Sequence, residues 1–97
     1  MVKPPISIDG ARVLEWAWSQ QPFGEVRCGD GSTTVQIFGL ALCRYHDDAQ
    51  VYRFSCDGHW ECQQDQMYGS LEEARTNLPA QYRNVPVLWQ KSEEVEP

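Results

Sequence analysis

The sequence has no long apolar run that could cross a membrane. Its longest stretch without a charged residue, from Gly31 to Cys43, contains several polar side chains, whereas a spanning helix needs about 20 predominantly apolar residues. The opening residues Met-Val-Lys-Pro-Pro are not followed by the apolar segment of a secretory signal. We therefore expect a cytoplasmic protein without membrane contact.

Basic residues are too few and too scattered for binding nucleic acid. Eight Lys and Arg stand against 14 Asp and Glu, which gives a formal net charge of −6. The basic side chains occur singly, and no cluster of them could neutralise a row of phosphates. This balance argues against direct nucleic-acid binding and favours encounter with a basic protein.

The cysteines do not follow the spacing of a zinc site. No two of them form a Cys-x-x-Cys pair; they are Cys28, Cys43, Cys56 and Cys62. Zinc needs four convergent ligands, usually on two tight turns, and we expect Cys43 and Cys56 to lie on opposite faces of a sheet. Without a signal peptide the thiols should stay reduced. The sequence therefore predicts no metal site and no cofactor.

A single domain is expected, because 97 residues are enough for one hydrophobic core and no Gly/Ser/Pro-rich linker divides the chain. We place this domain at residues 1–91 and interpret residues 92–97 as an acidic C-terminal tail. Three of the acidic residues, Glu93, Glu94 and Glu96, lie in that tail.

Residues 11–19 can be interpreted in two ways. As a strand, they place Leu14, Trp16 and Trp18 on one face, whereas a helix capped by Asp9 would group Leu14 with Trp18 and their neighbours. Two Trp at positions i and i+2 fit a pleated face, which favours the strand.

The middle of the chain predicts antiparallel strands joined by short turns. Pairing Tyr45 with Val51 across the polar turn creates one apolar face, made of Phe38, Leu40, Leu42, Tyr52, Phe54 and Cys56. A three-residue turn over 57–59 continues that face into the next strand. The opposite face would be exposed and mixed, with Ala41, Cys43, Tyr45, Arg53, Ser55, Glu61 and Gln63.

The C-terminal part predicts one helix and a closing strand. The motif Ser70-Leu-Glu-Glu73 is a capping box that starts a helix over residues 71–78. A strand over residues 85–90 should lie at a sheet edge, because Pro86 cannot donate a ladder hydrogen bond. The predicted fold is α+β: a twisted antiparallel sheet of four or five strands, arranged as a meander, with one short C-terminal helix.

No residue pattern indicates a reaction. His46 and His59 each fall in a predicted turn beside Asp, where a solvated loop residue is expected. Asp47 and Asp48 lack further oxygen ligands at the spacing of a calcium loop, and Gly29-Asp-Gly31 lacks the Lys of a phosphate loop. We therefore predict that the protein is not an enzyme.

Aromatic and charged side chains instead predict a protein-binding surface. Four Trp are many for a core of this size, and Trp, Tyr and Arg are enriched where proteins bind each other. The turn acids would steer a basic target toward this surface. The predicted partner-binding residues are Trp16, Trp18, Tyr45, Asp47, Asp48, Arg53, Glu61 and Gln63.

The C-terminal half resembles small bacterial proteins of uncharacterised families. The residues that carry the resemblance are Trp60-Glu-Cys-Gln-Gln-Asp65, Tyr68-Gly-Ser-Leu-Glu-Glu-Ala74, Leu78-Pro79 and Gln81-Tyr82. Several such families are immunity proteins that neutralise a toxin, so the resemblance implies a non-catalytic inhibitor and no catalytic residue. Given the acidic charge, its target would be a basic toxin or nuclease. An acidic regulator that mimics nucleic acid, an accessory subunit of a larger complex and a small metal or thiol protein stay open as alternatives.

Overall fold

The computed structural model of the chain describes residues 2–27, 31–82 and 85–92, and within these ranges it contains eight strands and one short helix. The acidic residues 93–97 and Cys28 lie outside the described residues. No helix in these ranges is long and apolar enough to cross a bilayer. In chain order the elements are β1 (Ser7–Ile8), β2 (Ala11–Trp18), β3 (Gly24–Arg27), β4 (Thr34–Ile37), β5 (Gly39–Arg44), β6 (Val51–Cys56), β7 (Cys62–Tyr68), α1 (Leu71–Thr76) and β8 (Gln90–Lys91).

Six of these strands form one antiparallel sheet with the order β1-β2-β5-β6-β7, and β8 pairs with β2 on the edge that β1 also uses. β3 and β4 form a separate two-stranded hairpin. The predicted antiparallel sheet with one short helix is confirmed. The predicted number of four or five strands is too small, because residues 7–8 and 90–91 also pair with β2.

The first hairpin depends on a two-residue turn at Asp9-Gly10, which the sequence analysis does not predict. Both residues have positive φ, 51° and 86°, as the tight turns that match strand twist require. Glycine adopts that conformation without steric cost. This turn folds β1 back on β2, with Ile8 opposite Ala11.

β2 confirms the interpretation of residues 11–19 as a strand. Its register against β5 shifts between Val13 and Glu15, which is the signature of a β-bulge. Trp16 and Trp18 share a face, opposite Ala41 and Gly39 respectively. The bulge means that Val13, rather than the predicted Leu14, packs in the same cluster as Trp16.

The pairing of β5 with β6 differs by one residue from the predicted register. Leu42 lies opposite Arg53, whereas pairing Tyr45 with Val51 would place Leu42 opposite the next residue. The Tyr45 carbonyl instead accepts a hydrogen bond from the Asp48 N–H (3.1 Å) and begins the turn. A shift of one residue moves every side chain of β5 to the other face relative to β6, so the predicted composition of both faces is wrong.

Both faces of the central strands are buried, and they differ in character. The aromatic face carries Ala11, Val13, Trp16, Trp18, Ala41, Cys43, Tyr52, Phe54 and Cys56 of the strands. The rings of Phe38, Tyr45 and Trp60 pack on the same face and are counted with it. The covered face carries Glu15, Ala17, Leu40, Leu42, Val51, Arg53 and Ser55. The predicted mixed exposed surface does not form, because its members are divided between these two faces.

The β6–β7 connection is also longer than predicted. Cys56 pairs with Cys62 and Phe54 with Asp65, so the turn spans residues 57–61 rather than 57–59. The Asp57 carboxylate accepts backbone hydrogen bonds from His59 (2.8 Å) and from Glu61 (3.0 Å), which stabilises the longer turn.

The covered face is packed by three segments. The helix α1 contributes Ala74 and Leu71, which contact Leu42 and Val51. The β3–β4 hairpin contributes Phe23, Val26 and Ile37, and the chain after α1 contributes Leu78, Tyr82, Val85, Val87 and Trp89. The alternation predicted for Val85, Val87 and Trp89 is thus observed, although only Gln90–Lys91 is paired as a strand.

The helix begins as the capping motif predicts and ends earlier. The Ser70 hydroxyl accepts the Glu73 N–H (3.1 Å), and the Glu73 carboxylate accepts the Gly69 N–H (2.9 Å) rather than that of Ser70. The helix ends at Thr76 instead of Leu78, because Asn77 leaves helical geometry as the C-cap.

Candidate functional site

The aromatic face is the candidate site, because four of its rings stay half-exposed above a buried floor. The floor is formed by Phe54, Trp16 and Trp60, which are 1%, 5% and 7% exposed. The half-exposed rings are Trp18, Phe38, Tyr45 and Tyr52. The buried members of this cluster come from the strands of the sheet and from Trp60 in the 57–61 turn, so among the described residues the rings themselves cover the face.

At one end of the face, Trp60 folds back over the sheet. Its ring lies edge-on to Trp16 at a centroid distance of 6.2 Å and tilted against Trp18 at 5.5 Å. Phe38 extends this group, 6.2 Å from Trp18. Trp60 lies directly on Gly39, where a Cβ atom would approach the indole to 2.6 Å. Glycine at this position therefore makes room for the indole.

The same Trp60 is held in an uncommon state. Its φ is 63°, in the left-handed region that few bulky residues adopt. Its indole Nε1 is buried and has no hydrogen-bond partner among the described residues, and an unpartnered buried donor costs free energy. Ring packing against Trp16 and Trp18 offsets these costs.

At the other end, three rings form a second group. Tyr45 lies edge-on to Tyr52 at 5.2 Å, and both rings are 6.5 Å from Phe54. Met67 lies opposite Tyr52 on β7 and is 52% exposed. Apolar surface therefore continues from this group to the outer strand of the sheet.

The charges that act on this second group are acidic. Asp65 lies opposite Phe54 in the ladder and is exposed, and Asp9 lies in the turn that begins β2. Partial burial of the hydroxyl, with the charges of Asp65 and Asp9, raises the pKa of Tyr45. Carboxylates therefore lie near this second group of rings.

The predicted turn residues lie at the two ends of the aromatic face. Asp47 is exposed at the Tyr45 end, where its carboxylate lies 3.2 Å from Nε2 of His46. The carboxylate of Asp48 at the same end accepts the Gln50 N–H (2.9 Å). Glu61 and Gln63 follow Trp60 at the opposite end, where the Gln63 amide donates to the carboxylate of Asp57 (3.2 Å).

Arg53 does not belong to the exposed surface on which it is predicted. It is 2% exposed and lies on the covered face. Its guanidinium donates to the Tyr68 hydroxyl (2.6 Å) and, through Nε, to the Ser55 hydroxyl (3.3 Å). It is 5.9 Å from the ring centres of both Tyr68 and Tyr82.

These contacts make Arg53 a structural residue of the covered face. Tyr82 donates to Ser55 (2.8 Å), and Tyr68 donates to the Asn77 carbonyl at the end of α1 (2.7 Å). The network joins β6, β7, the end of the helix and the segment that follows it. We therefore expect substitution of Arg53 to destabilise the fold, so a loss of binding in such a variant would not identify a contact with a partner.

The remaining predicted residues lie as follows. Trp16 is in the floor of the aromatic face and Trp18 is at its surface, so both belong to the site but only one is accessible. The interpretation from sequence misses Phe38, Tyr52, Trp60, Asp9 and Asp65. A correct register for β5 and β6 would identify Phe38 and Tyr52, whereas Trp60 depends on the length of the turn between β6 and β7.

The cysteines are placed differently from the prediction. Cys43 and Cys56 lie on the same face, not on opposite faces, so the stated argument against a zinc site is wrong. In residues 2–27, 31–82 and 85–92, no group of three or more His, Cys, Asp or Glu side chains is arranged to hold a metal ion.

Comparison of the chain with protein-family models, with curated proteins and with solved structures found no match.

Proposed function

We propose that this chain is a non-catalytic protein-binding module and that the aromatic face is its binding surface. The observation that carries the proposal is the set of half-exposed rings, Trp18, Phe38, Tyr45 and Tyr52, on a buried aromatic floor. Such rings offer a large, rigid contact area with little loss of conformational entropy, and Trp and Tyr are enriched among residues that dominate binding energies.

The charged residues beside the aromatic face indicate which kind of partner would bind there. Together with partial burial, the charges of Asp65 and Asp9 raise the pKa of Tyr45. Asp47 is exposed at the same end of the face, and the whole chain has a formal net charge of −6. Arg and Lys side chains bind carboxylates and also bind to aromatic faces through cation–π contacts. A basic protein is therefore the partner that these residues fit.

The role we propose within this class is that of an immunity or inhibitor protein that neutralises a basic toxin or nuclease. The acidic charge supports it, since charge complementarity accelerates association with a basic target. The resemblance of residues 60–82 to small bacterial immunity-type proteins supports the same role.

The test uses one substitution at each end of the face. A partner is captured with the wild-type chain from the native host, and its affinity is then measured for Trp18→Ala and Tyr45→Ala. We expect each substitution to weaken the complex at least about tenfold, or about 1.4 kcal/mol. Melting curves of both variants must show that the chain stays folded at the assay temperature.

Gln66→Ala is the control, because Gln66 is exposed on β7 and lies opposite Arg53, on the other face of the sheet from the rings. It should bind as the wild type does. If Gln66→Ala loses as much affinity as the ring variants, or if both ring variants bind normally, the aromatic face is not the interface.

The electrostatic part of the proposal has its own measurement. Asp65→Lys should slow association at low salt and approach the wild-type rate near 1 M salt, where charges are screened beyond about 3 Å. An association rate that is independent of both Asp65 and salt would contradict a basic partner while leaving the aromatic face as the binding surface.

A further inference from the structure

Two cysteines lie directly opposite each other where β6 and β7 begin to separate. Cys56 is the last residue of β6 and pairs with Cys62, the first residue of β7. Opposed residues of antiparallel strands have Cα atoms about 4.5–5.5 Å apart, and a disulfide needs about 4.4–6.8 Å. The β6–β7 register shifts between Ser55 and Cys56, but Cys62 packs against the cluster that contains Cys56, so the two side chains lie on one face within reach of a disulfide.

The two thiols differ in access and in acidity. Cys56 is fully buried, whereas Cys62 is half-buried and reaches solvent. The Cys56 thiol donates to the Phe54 carbonyl (3.8 Å) and the Cys62 thiol to the Gln64 carbonyl (3.5 Å). The neighbouring Cys56 thiol lowers the pKa of Cys62, although partial burial opposes this effect. The thiolate is the reactive form of cysteine, so Cys62 is the residue of the pair that reacts with a reagent from solution.

Cys43 lies on the same face but is a poor alternative partner. It is fully buried, as Cys56 is, so its position along the sheet decides whether it can join the pair. It pairs with Tyr52, whereas Cys56 pairs with Gly39, four residues earlier on β5. Because a strand rises about 3.3 Å per residue, that offset exceeds the roughly 7 Å between Cα atoms that a disulfide tolerates.

We propose that Cys56 and Cys62 form a redox modification site, in which a hydroperoxide oxidises Cys62 and Cys56 then completes a cross-strand disulfide. The Cys62 thiolate attacks one peroxide oxygen, the O–O bond breaks, and the sulfur becomes a sulfenic acid while the other oxygen leaves as hydroxide. The Cys56 sulfur then attacks the Cys62 sulfur, the S–O bond breaks, and the released hydroxide takes the Cys56 proton. Two thiols and one hydrogen peroxide thus become one disulfide and two waters.

The primary experiment uses the wild-type chain, so it does not depend on the folding of a variant. Folded protein is treated with hydrogen peroxide, its remaining thiols are alkylated, and its disulfides are mapped by mass spectrometry. We expect the loss of two of the four thiols, the loss of two hydrogen atoms from the intact chain, and a link between Cys56 and Cys62. Treatment with dithiothreitol should restore all the thiols.

Two variants and one condition test the assignment. Cys62→Ser should keep the thiols of Cys43 and Cys56 at the same peroxide dose, because both are buried. Cys28→Ser should still form the link, because that residue is not part of the pair. In concentrated urea the same dose should give several pairings, since the preference for Cys56 and Cys62 comes from the fold.

Three results would overturn the proposal. One is a disulfide that joins either residue to Cys28, to Cys43 or to a second chain. Another is the accumulation of sulfinic acid on Cys62 in the folded wild type without the cross-strand link. The third is the retention of all thiols at a dose that fully oxidises free glutathione.

Discussion

The two faces of the sheet bury their residues by different means. On the covered face, charged side chains are buried beside apolar ones, and each has partners from another segment: Glu15 is paired with Arg75 of α1, and Arg53 is bonded to Tyr68 of β7. On the aromatic face, the buried side chains are apolar or aromatic and pack mainly against one another. The covered face is buried by a second layer of structure, whereas the aromatic face is buried mainly by its own rings.

The difference shows what each face is able to do. A buried carboxylate or guanidinium is tolerated only where partners satisfy it, so the covered face cannot give up its helix and C-terminal segment to bind another protein. The rings of the aromatic face pack against one another, either edge-on or tilted, so they need no second layer. Four of these rings still reach solvent. It is therefore the face that can accept a partner without unfolding.

The largest loss of stability is expected when a ring is removed from the floor of the aromatic face. Phe54→Ala should destabilise the fold by about 3–5 kcal/mol, because a fully buried ring is replaced by a cavity. Denaturant unfolding measures the loss. Met67→Ala on the same face is the control and should change stability by about 0.5 kcal/mol or less, because Met67 is largely exposed. Equal losses would mean that the face has no distinct floor.

An intermediate effect is expected from the layer over the covered face. Ser70→Ala removes the hydroxyl that accepts the Glu73 N–H, and loss of such a cap costs about 0.5–2 kcal/mol. Ser70→Asp is the matched control, since an Asp side chain also caps and suits the helix N-terminus. If the Ala and Asp variants unfold at the same denaturant concentration as the wild type, α1 contributes little to covering the sheet.

The smallest effect is a decline of stability with pH. Burial raises the pKa of Cys43 from its ordinary 9.0 to about 12, so the folded state favours the neutral thiol. Its contribution is complete below pH 9 and is lost as pH rises from 9 towards 12. Between pH 8 and 9.5 the loss should be about 1 kcal/mol or less.

Unfolding curves for Cys43→Ala test this decline, which should be shallower than in the wild type. It should not vanish, because the pKa of Cys56 is also raised, chiefly by its hydrogen bond with Cys62 and by burial. Tyr82→Phe is the control from the covered face: burial raises the pKa of Tyr82 above its ordinary 10.0, so its loss begins above this range. A decline that depends on Tyr82 and not on Cys43 would contradict the assignment.

Several local features were predicted where the responsible interactions are close in sequence. The capping box at Ser70 and the alternation of Val85, Val87 and Trp89 were both found, because these features depend on residues only a few positions apart. The strand over residues 11–18 follows from its own alternating Trp residues. The Asp9-Gly10 turn is equally local and its positive φ values are typical of this dipeptide, but it was not predicted.

The sequence by itself determined an acidic, sheet-rich chain with one capped helix and enough aromatic residues to cover one face of the sheet. Tertiary structure decided which residues form that face. β5 and β6 are buried on both sides, so alternation of apolar and polar residues could not select their register. The partners that Arg53 needs from β7 and the C-terminal segment exist only in the folded chain. These tertiary contacts place Tyr45 among the rings and Arg53 on the opposite face.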